Sequence, residues 1–194
     1  QGNNAAYGGG MLNTNSSPSL NQVTFQGNTA TNGNGGGMYN NNYSSPSLNQ
    51  VTFQGNTATQ YGGAIYQNND GDATPTLVNC ILWGNTQGAS VANQIYMKND
   101  GADAEKLNIY NSILQGGRAG IAQEVTTAGA APVTINHERT AVTTLIDQNP
   151  NLANLNNNGG YVMTMAITGT TNPAKDQGIY VKRTTAVTTN SGVT

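Results

Sequence analysis

The sequence predicts an all-β fold, a single-stranded right-handed parallel β-helix with an irregular C-terminal cap. Three observations predict it: a long internal repeat, a period-two apolar pattern inside each copy, and turn residues at fixed places between the runs. Residues 8–34 read GGGMLNTNSSPSLNQVTFQGNTATNGN and residues 35–61 read GGGMYNNNYSSPSLNQVTFQGNTATQY. A diverged copy starts at Gly62 (GGAIYQNNDGDATPTLVNCILWGNT) and another at Asn93 (NQIYMKNDGADAEKLNIYNSILQGG). One copy is too short to bury an apolar face alone, so the copies must stack, which is the solenoid solution.

Aligned, the copies give columns. Met11, Met38, Ile65 and Ile95 share the first apolar place; Leu20, Leu48, Leu77 and Ile109 the second. Val23, Val51, Cys80 and Ser112 follow, then Phe25, Phe53, Leu82 and Leu114 two residues further on, which is strand periodicity. No i, i+3, i+4 stripe runs through any copy. Asn28, Asn56, Asn85 and Gly117 close the set at a turn, where Asn tolerates a left-handed backbone and its amide can bond the coils above and below.

The Leu-to-Phe spacing stays at five residues, while the Met/Ile-to-Leu spacing grows from 9 to 10, 12 and 14. One corner therefore takes insertions while the strands keep register, as a surface loop does. The organisation is 1–120 as repeat coils (copies near 8–34, 35–61, 62–92 and 93–120) and 121–194 as irregular last coils and a capping segment, with five or six coils in all. The chain opens inside a repeat at Gln1 without Met or signal peptide, so it reads as a portion of a longer protein.

Composition excludes several functions. The chain has 194 residues with 30 Asn, 25 Thr and 25 Gly, but only 7 basic and 9 acidic side chains. No acidic or basic side chain precedes Asp70. Seven basic residues and a net charge of −2 leave no footprint for nucleic acid. No apolar run is long enough to span a membrane as a helix. One Cys forms no internal disulfide and supports no Cys/His metal cluster.

The GGA-Ile start (Gly62–Ile65, GGGM earlier) and the F-x-x-N element (Phe25–Asn28, Phe53–Asn56, with Leu82–Asn85 as a variant) resemble the repeats of polymorphic outer-membrane proteins. Asn158-Gly159-Gly160 and Asn172-Pro173-Ala174-Lys175-Asp176-Gln177-Gly178 are similar to segments of bacterial surface proteins with β-helix repeats and a choice-of-anchor Q region. The resemblance covers most of 8–120 and about 145–180. It implies a secreted, outer-membrane-associated surface protein of adhesin type, with glycans or surface proteins as partners.

Two constellations could carry binding. Tyr39, Tyr66 and Tyr96 each follow an inward Met or Ile, so alternation turns them outward as an exposed aromatic ladder suited to sugar faces or a partner surface; Leu12 holds that place in the first copy. NNDGD (Asn68–Asp72) and NDGADAE (Asn99–Glu105) share the lengthening corner, so stacking would bring Asp70 near Asp100 and Asp72 near Asp103. Carboxylates at that range repel unless a cation sits between them, and Ca²⁺ accepts such oxygens. The competing reading is two Asp-Gly turns neutralised by Lys98 and Lys106, with no cofactor. Cys80 reads as a core residue and His137 as a solvated loop histidine. The rival function, a polysaccharide lyase or hydrolase, needs carboxylates converging on one face of several coils, and the first two coils have none. Asp70, Asp72, Asp100, Asp103 and Arg118 are the residues whose convergence or scatter would discriminate.

Overall fold

Short runs rich in Thr, Val, Ile and Tyr between Gly, Asn and Ser can form strands of only a few residues, and such strands are stable only in a sheet. The computed structural model describes residues 1–69, 72–88, 94–101, 105–126, 128, 131–139, 142, 143, 145–156 and 164–167. In it each of the first four coils contributes one strand to each of four parallel sheets, the fifth to three of them, and the coils wind into a right-handed β-helix.

The corner sheet stacks Asn4–Ala5, Thr29–Ala30, Thr57–Ala58 and Thr86–Gln87. The tyrosine sheet stacks Met11–Thr14, Met38–Asn41, Ile65–Asn69, Ile95–Asn99 and Ile121–Val125. The leucine sheet stacks Ser19–Asn21, Ser47–Asn49, Thr76–Val78, Lys106–Tyr110 and Thr134–Asn136. The phenylalanine sheet stacks Thr24–Gln26, Thr52–Gln54, Ile81–Trp83, Ser112–Leu114 and Leu145–Ile146. Met11, Met38, Ile65, Ile95 and Ile121 stand opposite one another in register, as do Leu20, Leu48, Leu77 and Ile109, and Phe25, Phe53, Leu82 and Leu114.

Among the described residues the stack makes about four turns, with five strands on three faces and four on the other, rather than five or six coils. The reason is local. Past Ile146 the described strands Leu152–Asn156 and Thr164–Ile167 pair antiparallel with each other, and already within the fifth coil Glu138–Arg139 pairs antiparallel with Val142–Thr143.

Inside the coil, Met38, Phe53, Leu77, Ile95 and Leu114 are fully buried, and Phe25 stacks on Phe53 with centroids 4.7 Å apart and planes 4° apart. Burying one such side chain contributes about 2–3 kcal/mol. Cys80 belongs to this interior. Its amide donates to Ser112 Oγ (3.1 Å), its thiol meets the carbonyls of Val78 and Leu48, and burial pushes its pKa up to about 12.

A second ladder in the interior is polar. Asn28 donates from its backbone and side chain to Asn56 Oδ1 (3.0 and 2.8 Å), and Asn56 does the same to Asn85 Oδ1 (3.0 and 2.7 Å). Asn56 and Asn85 also donate to the carbonyls of Phe25 and Phe53 on the preceding coil. The ladder does not end on Gly117. That residue enters a short 3-10 turn, Gly117–Gly120, and Gln94 closes the ladder instead by accepting from Asn85 Nδ2 (2.8 Å). Gln94 has the longer side chain needed to reach the same point from the start of the next coil.

Candidate functional site: the tyrosine face

The coils approach closely at the edge where the tyrosine strands begin, and this requires a pair of glycines. Gly62 has φ +67, and a Cβ there would lie 2.3 Å from the Ile65 carbonyl oxygen. A Cβ on Gly63 would lie 2.7 Å from the Thr86 backbone of the next coil. Neither contact can yield without moving backbone, so the GG pair sets the position from which the tyrosine strand departs.

From there alternation sends Met38, Ile65 and Ile95 inward and Tyr39, Tyr66 and Tyr96 outward, in register across three strands. The rings stack face to face, Tyr39 on Tyr66 at 5.1 Å and 12°, and Tyr66 on Tyr96 at 5.6 Å and 10°. The ladder is real, but it is not the exposed one that alternation predicts. Tyr66 and Tyr96 keep only 4% and 9% of their surface, and Tyr39 is half-buried. Two rings from the preceding edge account for part of the cover: Tyr7 lies against Tyr39 (5.7 Å, 57°) and Tyr61 on Tyr96 (4.4 Å, 28°). Stacking also spends the ring faces on one another, so the three ladder rings do not offer flat faces for a sugar to lie on.

The phenol of Tyr96 donates to Glu124 Oε2 at 2.8 Å. Burial, this hydrogen bond and the Glu124 charge hold the Tyr96 phenol well above its ordinary range. Burial does the same for Tyr66, helped by Tyr39, Tyr96 and the carboxylates of Glu124 and Asp100. Beside the ladder runs an outward row, Thr14, Asn41, Asn68, Lys98 and Glu124, in which Asn68 donates to Asn41 Oδ1 at 2.8 Å. The row thus turns from neutral to charged between the third and fourth strands.

The acidic corner follows the tyrosine strands. Asp100 pairs with Lys98 at 2.8 Å and Asp72 is exposed, while Asp70 and Asp103 lie outside the described residues. Among the described residues no group of three or more His, Cys, Asp or Glu side chains is placed to hold a metal ion. Arg118 precedes the last tyrosine strand and Asp100 follows the one before it, so these two sit at opposite edges of the face. His137 is not fully solvated: it is half-buried, with its Nδ1 sealed from solvent and unpaired, beside Tyr110, Ile135 and Asn136. The fourth and fifth coils put it one residue past the pair Asn108 and Asn136, in line with inward Ile109.

Sequence reasoning missed Tyr7, Tyr61 and Glu124. The signal for the first two is present, since each immediately precedes a glycine pair (Tyr7-Gly8-Gly9 and Tyr61-Gly62-Gly63). Residues 50–68 match the Chlamydia polymorphic membrane protein repeat. That stretch runs from the Phe53 strand through Asn56 and the glycine pair to Ile65 and Tyr66, so the matched element is a full passage from one coil to the next. The match, over residues 50–68 alone, and the β-solenoid together fit a repeat protein of the polymorphic membrane protein kind, a family of outer-membrane surface proteins. No curated protein and no solved structure matches the chain. Of the segments similar to choice-of-anchor Q proteins, 158–164 and 172–178, only Thr164 is among the described residues. No helix among the described residues is long and apolar enough to cross a membrane.

Proposed function

We propose that this chain is a non-catalytic cell-surface module of adhesin type, which holds the tyrosine face and its two edges rigid for a glycan or protein partner. One observation carries the reading. Among the described residues the exposed large apolar side chains are Tyr7, Leu12, Tyr43, Tyr61 and Val125, at 48%, 56%, 61%, 41% and 39% exposure. Each lies on the tyrosine sheet or in the turns that enter and leave it. An apolar rim gathered on one face of an otherwise polar surface marks an interaction site. The stacked ladder beneath fixes the rim, so binding orders little and costs little entropy. The ring geometry favours a partner surface that meets edges and hydroxyls over a sugar laid on the ladder itself. The deciding experiment is a screen of the intact chain against glycan and bacterial or host surface-protein arrays, repeated with the double variant Tyr7→Ala, Tyr61→Ala. At least a tenfold loss of binding is expected in the variant; ligands retained at full strength would remove the tyrosine face from the function.

A further inference from the structure

A different edge of the solenoid carries a second site. Where each phenylalanine strand ends, the chain turns through a glutamine, a glycine and an asparagine: Gln1-Gly2-Asn3, Gln26-Gly27-Asn28, Gln54-Gly55-Asn56, then Trp83-Gly84-Asn85 and Gln115-Gly116-Gly117. The glycine amides hold the levels together, Gly2 to the Gln26 carbonyl (2.9 Å), Gly27 to Gln54 (3.1 Å) and Gly55 to Trp83 (3.3 Å), while Gly84 donates to Gln115 Oε1 (2.7 Å). The result is an open trough of about 480 Å³, lined by Gln1, Gly2, Gln26, Gly27, Gln54 and Gly55. With the Trp83 and Gln115 levels, five rungs at the strand spacing extend the edge to roughly 19 Å.

The trough has a wall of side-chain amides. Gln26 Nε2 donates to Gln54 Oε1 at 3.1 Å, which uses one donor and one acceptor; a carboxamide has two N–H groups and two lone pairs, so each amide retains capacity for a ligand. The half-buried indole of Trp83, the one Trp of the chain, stands opposite Gln54 in the same row.

The floor shows that more than turn geometry is at work. At the edge between the leucine and phenylalanine sheets the left-handed backbone is filled by Gln22, Gln50, Asn79 and Asn111, with φ 56, 54, 55 and 46. At the trough the same conformation, φ 66, 61, 62 and 68, is held by Gly2, Gly27, Gly55 and Gly84. A Cβ on Gly2, Gly27 or Gly55 would meet nothing within 4 Å. The chain therefore accommodates Asn and Gln in this conformation at one edge and leaves the other bare where its own atoms do not require it. Bare backbone between amide side chains is what close approach of a ligand needs.

We propose that this trough binds a linear, uncharged polysaccharide lying along the solenoid axis, its hydroxyls bonded to the glutamine amides and one sugar ring against Trp83. Neutrality follows from the rungs that line the trough, Gln1 to Gly55, which hold no acidic or basic side chain to meet a charged polymer; a carboxylate reaches the edge only at the fifth rung, where Asp147 Oδ1 accepts from the Gly116 amide at 2.8 Å. An extended chain follows from the rung spacing, which is close to the rise of one sugar in an extended glycan. The site is separate from the tyrosine face, and the two stand or fall independently.

The test is titration of the intact chain with cellohexaose, a soluble extended neutral hexasaccharide, followed by Trp83 fluorescence and calorimetry. A hexamer of polygalacturonate serves as the charged comparison. Saturable binding of cellohexaose, with at least tenfold weaker binding of the charged hexamer, is expected. Gly55→Asn, which fills the floor with a residue this backbone tolerates at the other edge, should weaken binding at least tenfold with an unchanged Tm. Gln54→Ala, a truncation on the wall, should weaken it at least threefold and covers the case in which Gly55→Asn does not fold. Tyr7→Ala with Tyr61→Ala should leave it unchanged. No saturable signal at millimolar cellohexaose, or equal affinity in both trough variants, overturns the proposal. Binding abolished by the tyrosine pair alone would move the glycan to the other face.

Discussion

Two kinds of amide ladder climb this solenoid at the same spacing, one in the dry interior and one on the wet surface. Asn28, Asn56, Asn85 and Gln94 are each 1% exposed or less, and every rung bonds the next through both backbone and side chain. Gln22 bonds Gln50 at 3.4 Å on the surface, where water competes for the same groups. The chemistry is identical and the worth is not. A hydrogen bond in place of water gains little net, whereas a buried amide left without its partner loses its full solvation. The comparison teaches that the Asn column holds the coils in register, while the outer Gln rows can be given over to other uses.

Breaking the inner ladder is expected to have the largest effect. Asn56→Ala strands the backbone and side-chain donors of Asn28 and deletes the side-chain bonds to Asn85 Oδ1 and the Phe25 carbonyl, leaving only the backbone bond to Asn85. It should cost about 3 kcal/mol or more, read from chemical denaturation, on a scale of about 1–3 kcal/mol for each buried polar group left unsatisfied. A loss below about 1 kcal/mol would mean that water enters the column and the inner ladder behaves as the outer one.

The tyrosine ladder is intermediate, and pH addresses it. The folded state holds the phenols of Tyr66 and Tyr96 above their ordinary value of 10.0, chiefly through burial, and the Cys80 thiol at about 12 against 9.0. An acid whose pKa is raised by folding contributes stability that is full below the unfolded value and declines as pH climbs toward the folded one. Tm should therefore hold steady to about pH 9 and fall steadily above it, and Tyr66→Phe with Tyr96→Phe should flatten that fall. A variant with the same alkaline slope would show that the phenols are not the groups responsible.

The smallest effect belongs to the outer rung. Gln50→Ala should change stability by no more than about 0.5 kcal/mol, the usual range for a surface substitution. A loss comparable to that of Asn56→Ala would erase the distinction between the ladders.

Much of this was legible in the repeat. Met11, Leu20 and Phe25 recur against the same neighbours at every level, because equal spacing in sequence becomes equal height in a stack. The asparagine column was legible for the same reason, except at its end. Gly117 holds the aligned position, but the close is made by Gln94, whose reach is a matter of side-chain length and not of alignment. The tyrosine column was legible as a ladder and misread in exposure. Alternation says which side of a sheet a residue faces, and it does not say that Tyr7 and Tyr61 fold back from the edge to cover that side. The glutamine trough went unseen because its first rung, Gln1 to Asn3, precedes the first complete copy, although QGN recurs at 26–28 and 54–56. The acidic corner is half described: Asp100 is engaged by Lys98, and Asp70 and Asp103 lie outside the described residues.

The glycine pair at Gly62 and Gly63 has a consequence for how such repeats can diverge. Side chains inside and outside the coil can change from Phe to Leu, Met to Ile or Gln to Trp, as the third copy shows, and length can accumulate at one corner. The backbone contact of Gly63 with Thr86 leaves no comparable latitude, because no side chain is small enough to replace a hydrogen there. Where a further corner strand is stacked on it, as in the first three copies, the glycine edge should therefore be the last feature to vary; the fourth copy carries Ala92 and Asn93 at these positions, and among the described residues no corner strand follows Thr86–Gln87.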